Sequence, residues 1–511
     1  MKVNVAVSLN IREYSGSGIT DYVSGNTNCI SYEDDGSVIT TQRSSIDISE
    51  DGVAIGADSQ GRGIFYWEEN SKDYIVNNDS VYATSQNTSS LQTISTGIEP
   101  VTILETIGTP YLVFLDAEND EGWYMNAAES FTQFTTNFPT TLAHGGAELD
   151  GYLFFMDEEG VIYNTDVNDI SISATSYITA ERENDKGVYL GKHHEHLAAF
   201  LSRSIEFFYN ASNTSGSPIN RRPDITHSVG CSSGLSVWEN GDTTYFIGSK
   251  TSSQMAVYEL KNFQMSKISD EELSAFLTQA ITQDGLNVRL SGLQMMGNDI
   301  LIINIMSVTG SSPGSYVPNV SISFNAQTGQ WGFIETALNS HDSFPLMATT
   351  RRTGGQNNSV TARTGVGIFY NGDIININDK MIPIDTVGGN DGVYEDGVYE
   401  DDIYTSGSDA TGTNISTVIR TGLIDGNSSG YKTNKAININ MKDTDNDQTM
   451  TIKRSKEKSD NFDTGKTINT AKARKQKRIN GRFIRENIQL EYSGDEQFFI
   501  KNIDLELEAG T

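Results

Sequence analysis

The chain has 511 residues, of which 36% are hydrophobic, and its 36 Lys and Arg against 67 Asp and Glu give a formal net charge of −31. That length suits two to four domains, or one repeat assembly with an appendage, and the apolar content supplies a large core and excludes wholesale disorder. The acidic balance argues against a general nucleic-acid clamp, because phosphate affinity rests on Lys and Arg, and no apolar run reaches the ~18 residues that a membrane span requires.

The opening MKVNVAVSLNIREYS has no apolar stretch of the secretory-signal kind. Two cysteines, Cys29 and Cys231, make no disulfide framework and read as buried thiols. From Gly63 a unit recurs in which a short apolar strand meets an acidic or Gly-containing turn and then a second strand, usually carrying Tyr. Its copies include GIFYWEENSKDYIVNNDSVY from Gly63, YLVFLDAENDEGWYMN from Tyr111, YLFFMDEEGVIYNTD from Tyr152, HLAAFLSRSIEFFYN from His196 and TTYFIGSKTSSQMAVYEL from Thr243. DILIINIMSVTG with VSISFNAQTGQWGFI, and finally GVGIFYNGDIININ from Gly365, complete the series. Anchors at Phe65, Val113, Phe154, Ala198, Phe246, Ile302 and Ile368 stand 48, 41, 44, 48, 56 and 66 residues apart. A period of ~40–50 residues built only of short strands predicts a β-propeller of six or seven blades over residues 1–387. The competing reading is a set of unrelated hairpins in one or two sandwiches. NAQTGQW, Asn325 to Trp331, fits a blade-ending turn whose Trp packs on the next blade.

One helix is predicted near residues 269–283, where Ser269 and Glu272 form an S-x-x-E capping box. Leu273, Phe276, Leu277, Ala280 and Ile281 share one face, which suits an ordinary docked helix first, or else the rim of the ring or a neighbouring subunit. Residues 388–414, with GVYED twice in tandem, read as an acidic flexible loop or linker. From 415 to 511 the segments STVIRTGLID, KAININM, TMTIKRS, RENIQLEY and FFIKNIDLELE alternate cleanly and predict a C-terminal antiparallel β-sandwich. The fold class is therefore all-β.

Within the sandwich the charge inverts. Between Thr451 and Arg485 stand Lys453, Arg454, Lys456, Lys458, Lys466, Lys472, Arg474, Lys475, Lys477, Arg478, Arg482 and Arg485, opposed by Glu457, Asp460 and Asp463, so 12 − 3 = +9 and the remainder is 24 − 64 = −40. Such asymmetry marks a docking site for an acidic partner, a phosphate-facing surface, or a solvated basic loop. Other chemistry is sparse. His194 and His196 in KHHEHL would share a strand face as metal ligands, with His193 beside them, yet no Cys or carboxylate cluster follows at matching spacing. Asp443-Thr-Asp445-Asn-Asp447 starts like a calcium loop, but Gln448 replaces the required Gly, so an exposed turn is the better reading. There is no nucleophile elbow, P-loop or dinucleotide fingerprint, and the nearest approach to a sialidase-type box is Asp120-Glu-Gly122-Trp123. No catalytic, metal or cofactor residue is nominated.

Several stretches resemble, in order and spacing, the tail-hub or nozzle (packaged-DNA stabilisation) proteins of short-tailed bacteriophages. HLAAFLSRSIEFFYNAS looks like that family's strand pair ending in a polar turn. GCSSGLSVWENGDTTYFIGSKTSSQMAVYELKNFQMSKISDEEL from Gly230 matches its order of Gly loop, two strands and helix start. NCISYEDDGSVITTQRSSI from Asn28 is similar to its opening strand and turn, with Ser44-Ser45 where Pro-Gly is usual, and FFIKNIDLELE resembles its closing strand. The resemblance implies a non-enzymatic virion protein of the tail, assembled in the host cytoplasm, that forms a ring, a homo-hexamer, below the head-tail adaptor or portal complex. Tail fibres, spikes or a plug would attach to it, and double-stranded DNA would pass through without sequence-specific binding and without any cofactor. An acidic body suits a conduit, since walls that repel phosphate let DNA slide. The alternative is a carbohydrate-binding propeller at the tail tip, for which Trp67, Trp123, Trp238 and Trp331 are the available aromatic platforms. A glycosidase propeller is the third reading.

Overall fold

In this computed structural model the described residues are 2–5, 29–31, 38–40, 46–47, 61–83, 90–180, 185–250, 254–282, 286–295, 298–308, 316–333, 346–351, 357–361, 368–370, 384–385, 417–421, 424, 430–444, 446–456, 462–472, 475–494 and 498–509. The acidic segment 388–414 lies outside them.

Antiparallel sheets follow one another along the chain at residues 61–93, 101–133, 147–179, 187–227, 230–267, 286–333 and 346–370, referred to below as blades 1 to 7. The second strands explain the apolar runs. In Tyr111–Asp116, Leu112 and Phe114 join a cluster with Trp67, Tyr74 and Val76 of blade 1, whereas Val113 and Leu115 join Leu153 and Phe155 of blade 3. Phe154 and Met156 then meet Leu197 and Phe208 of blade 4, Ala198 and Phe200 meet Phe246 of blade 5, and Tyr245 and Ile247 meet Leu301 and Ile303 of blade 6. Each middle strand is thus covered on both faces, so its sequence is continuously apolar while its side chains still alternate between two neighbours. A fully buried Leu or Phe in such a stack contributes ~1.5–3 kcal/mol. Leu346–Arg351 of blade 7 runs beside Gly61–Trp67 of blade 1, which brings the last sheet to the first.

The acidic turns also have a structural cause. Asp157 ends its strand, and its carboxylate accepts the Glu159 and Val161 amides at 2.9 Å each and the Tyr163 hydroxyl at 3.2 Å. Between blades 3 and 4 the chain changes sheets within five residues: His144–Gly145 pairs in parallel with Tyr189 and Leu190, and Ala147–Leu149 pairs with blade 3. Gly145 permits this with φ +82°, and a Cβ there would lie 2.2 Å from the Leu190 carbonyl oxygen.

Three expectations are corrected by detail. The anchor Phe65 lies on the first strand of its sheet, and the residue equivalent to Val113 is Tyr74, 39 residues earlier; the long first spacing reflects different hairpins of one meander. The helix, α1 (Glu271–Thr282), buries Leu273, Phe276, Leu277 and Ala280 against blades 5 and 6 of its own chain, as a docked helix does. Its N-cap is Asp270, whose carboxylate accepts the Leu273 amide at 2.8 Å, while Ser269 is buried and accepts the Val257 amide at 3.0 Å. Trp331 is buried at 4.4 Å from Phe324, in the cluster that reaches back to Tyr245 of the preceding blade.

The C-terminal sandwich pairs two sheets over one core that includes Ile437, Ile452, Ile488 and Leu505. One sheet orders Thr417–Arg420, Glu486–Tyr492, Thr449–Lys456 and Lys466–Asn469. The other orders Cys29–Ser31, Val38–Thr40, Phe499–Ala509, Lys432–Met441 and Gln476–Phe483, and Lys2–Val5 pairs with Phe499–Ala509 as well. The described N-terminal strands thus belong to this sheet: Lys2–Val5 and Val38–Thr40 pair with Phe499–Ala509, and Cys29–Ser31 pairs with Val38–Thr40.

Candidate interaction surface

The basic segment is carried by adjacent edges of the two sandwich sheets. Lys466–Asn469 ends one sheet and Gln476–Phe483 ends the other, and the Lys466 ammonium bridges them by donating to the Arg478 carbonyl at 2.9 Å. Edge strands are commonly guarded by Lys and Arg, which blocks uncontrolled strand pairing and leaves a charged rim.

The candidate cations divide into two sets. Lys453 donates to Glu491 at 2.6 Å on the outer sheet face. Arg454 lies over Gly481, where a Cβ would meet its guanidinium at 2.3 Å, with Asp463 at 3.5 Å and Glu486 at 3.9 Å. Lys475 is buried, pairs with Asp443 and donates to the Lys472 carbonyl at 2.8 Å. Asp443 thus serves a lysine. Lys477 is half-buried, whereas Lys456, Lys472, Arg478, Arg482 and Arg485 are exposed. Arg482 stacks 4.2 Å from the centre of the Tyr431 ring, itself 49% exposed. Lys458 and Arg474 lie outside the described residues. The structure thus places Lys466, Arg478 and Arg482 on the two edge strands with Lys472 in the loop between them, leaves Lys456 on an inner strand and Arg485 in a turn, and withdraws Lys453, Arg454 and Lys475 into internal pairs that sequence alone did not reveal.

Beneath this rim Glu486 is buried. Its carboxyl is pushed up to about 7 by burial, against the opposing Asn434 hydrogen bond at 2.6 Å and the charges of Arg454 and Lys456.

The other nominated groups resolve differently. His193 and His196 sit on opposite strands of a hairpin, with His194 in its turn at φ +52°, so no single strand face carries them. They surround Phe263 instead: His193 Nε2 accepts the Phe263 amide at 3.0 Å, and His227 Nε2 bonds its carbonyl at 3.1 Å. No group of three or more potential ligands capable of holding a metal occurs among the described residues. Burial, with the charge of His194 second, pushes His193 down to about 4. Cys231 is buried and its thiol is pushed up to about 12 by burial; the Cys29 side chain lies outside the described residues. The tryptophans do not form a repeated exposed platform, since Trp67 and Trp331 are buried in blade contacts. No described helix is long and apolar enough to cross a membrane.

Comparison with known proteins follows from this architecture. The family model described as bacteriophage P22 Gp10, beta-propeller, matches residues 41–355. No curated protein matches the chain. Among solved structures, the chain is similar to a streptogramin B lyase at 10% identity, covering 66% of this chain and all of the other, TM-score 0.38. It is also similar to the extracellular domain of the hybrid two-component system BT4673 of B. thetaiotaomicron at 10% identity, covering 65% of this chain and 40% of that one, TM-score 0.42. BamB from Moraxella catarrhalis is matched at 12% identity over 69% of this chain and 98% of that one, TM-score 0.36.

Proposed function

Because this chain belongs to the phage-stabilisation family described by the bacteriophage P22 Gp10 β-propeller, and is accordingly a phage structural protein that stabilises packaged DNA at the tail, we propose that it is a non-enzymatic, ring-forming subunit of a tail hub or nozzle. In this reading copies of the chain, six in the simplest ring, surround a passage that retains the genome and later conducts it. The ring docks the head-tail adaptor on one face and tail fibres, spikes or a plug elsewhere.

The observation that carries the reading is the separation of charge. Among the described residues of Thr451–Arg485 six cations are exposed, Lys466, Arg478 and Arg482 on the adjoining sheet edges and Lys456, Lys472 and Arg485 beyond them, and the residues outside that segment sum to −40. A rim of this kind meets the acidic surface of a neighbouring copy, which relieves the repulsion that the acidic bodies would otherwise exert on one another. Exposed pairs are worth about 0.2–1 kcal/mol each, so six contribute about 1–6 kcal/mol, enough to shift association by roughly tenfold to ten-thousandfold. The passage belongs between copies. The cavity on the axis of a single propeller holds ≈ 510 Å³, the scale of a small-molecule pocket and far below that of a duplex.

The test is light scattering with negative-stain imaging at low and high salt, on the native chain and on Arg478→Glu/Arg482→Glu. Rings that weaken in salt and fail in the variant support the reading. Filter binding of duplex DNA is the counter-test: salt-sensitive binding that the same variant abolishes, without any change in association, assigns the rim to DNA and overturns subunit docking.

A further inference from the structure

The axial cavity has features that a structural plug does not need. It is bounded by the first strands of blades 1, 2 and 6 and by segments of blades 3, 4 and 5, with Ile64, Phe65, Val101, Leu235 and Trp238 among its apolar walls. Its volume of ≈ 510 Å³ is that of a ligand pocket, and such pockets pair apolar walls with a few polar groups that fix orientation.

Its cations are already satisfied. Arg62 is fully buried and donates to Asp116 at 2.8 Å and to the carbonyls of Glu99, Asn78 and Ser95 at 2.7–3.1 Å, with Glu118 at 3.5 Å. Arg289 bears on Glu99, which also accepts from His144 at 3.0 Å; burial would raise the Glu99 carboxyl, but the His144 bond and the charges of His144, Arg289 and Arg62 hold it below its ordinary value. The remaining group is Glu239. It lines the cavity and accepts one hydrogen bond, from the Lys192 amide at 3.1 Å. Lys192 directs its ammonium to Glu148 at 3.9 Å, and Tyr189 is the other titratable group facing Glu239. Two arginines thus stand against four carboxyl groups, Glu99, Asp116, Glu118 and Glu239, and the carboxyl without a cationic partner is the one on the cavity wall.

We propose that the axial cavity binds a small organic ammonium compound, its cation seated against Glu239 and its alkyl part against the apolar wall around Trp238. A carboxyl lacking a counter-charge in a low-dielectric wall gains most from an incoming cation. An anion would have to compete with Asp116, which already holds Arg62, and would lie within the field of Glu99, on which Arg289 acts. Burial pushes the Glu239 carboxyl up to about 8, so it is neutral at pH 7, and seating an ammonium expels its proton to solvent.

Isothermal titration calorimetry of the full chain with n-butylammonium chloride, in phosphate and in MOPS at pH 7, tests this directly. The expected result is one site per chain with Kd on the order of 1 mM and nearly one proton released per ligand, read from the difference in heat between the buffers. Affinity should rise roughly tenfold per pH unit from 6 towards 8, as the ligand competes with a bound proton. Glu239→Gln, which preserves shape and the Lys192 bond, should lose at least about tenfold in affinity and all proton release. The proposal is overturned if the native chain does not bind, if n-butanol or acetate binds as well as the ammonium, if no proton is released, or if the Gln variant binds unchanged. Proton release is measured on the native protein, so it tests the proposal even if the variant fails to fold.

Discussion

The strand Tyr111–Asp116 of the propeller and the strand Thr449–Lys456 of the sandwich solve opposite problems. The first is covered on both faces, and Leu112, Val113, Phe114 and Leu115 are all at most 2% exposed. The second buries Met450, Ile452 and Ser455, while Lys453 and Arg454 are half-buried and Lys456 is free. A strand with two buried faces has no side chain to spare for a partner, so the propeller is a scaffold whose features lie in its turns and on its axis. A strand with one buried face keeps half its residues for recognition, and the positive charge of the chain is collected there.

The sharpest way to break this comparison is to remove a side chain shared by two blades. Phe154→Ala, at a site with 0% exposure, is expected to cost about 3–5 kcal/mol in urea unfolding of the propeller and to leave the sandwich transition in place. A single coupled transition would show that the two regions do not behave as separate cores.

Next in size is acid. His193 is held at about 4 in the folded chain, below its unfolded value near 6.5. The unfolded chain therefore binds more protons between these values, and propeller stability falls as pH drops from ~6.5 to ~4. Protonating Nε2 removes the acceptor of the Phe263 amide and adds charge beside His194, His196, His227 and Arg222, with Asp242 as the opposing group. The loss should approach about 3 kcal/mol, and His193→Gln should flatten the dependence in pH-resolved unfolding.

The sandwich should respond with the opposite sign. Glu486 is raised to about 7, so its folded form holds a proton that the unfolded chain has released, and stability is lost as pH rises from ~4.5 to ~7. Glu486→Gln is expected to stabilise the sandwich at pH 8 by about 1–2 kcal/mol and to remove that slope. Parallel pH slopes in the two regions would contradict the assignment.

Smallest in stability is the rim itself. Arg478→Ala should change unfolding by less than about 0.5 kcal/mol while lowering association measurably, which separates a docking residue from a packing one.

Much of the fold was legible because stacked sheets leave a strong trace: runs such as YLVFLD and YLFFMD at a regular spacing, each closed by an Asp, of which Asp157 caps its own turn and Asp116 holds Arg62. What was not legible depended on distance along the chain. Nothing in KVNV announces that Lys2–Val5 pairs with Ile503–Glu506, and a period of 40–50 residues cannot tell which hairpin of a four-stranded meander has been recognised, hence Phe65 in place of Tyr74. At the rim, charge density located the segment but not its partners. Asp443 and Glu491 lie 32 and 38 residues from Lys475 and Lys453, and only folding shows that these lysines are spent internally. The axial cavity left no linear signal, because its walls come from segments spread over more than 200 residues.

The pairing of the opening strand with the last described one has a temporal consequence. A nascent chain cannot finish the sandwich until Phe499–Ala509 has left the ribosome, since that strand sits between Lys432–Met441 and the N-terminal strands. Blades 1 to 6 have emerged by then. The cationic edge of the sandwich therefore matures after the rest of the molecule, and a truncated translation product carries a propeller beside an unfinished sandwich.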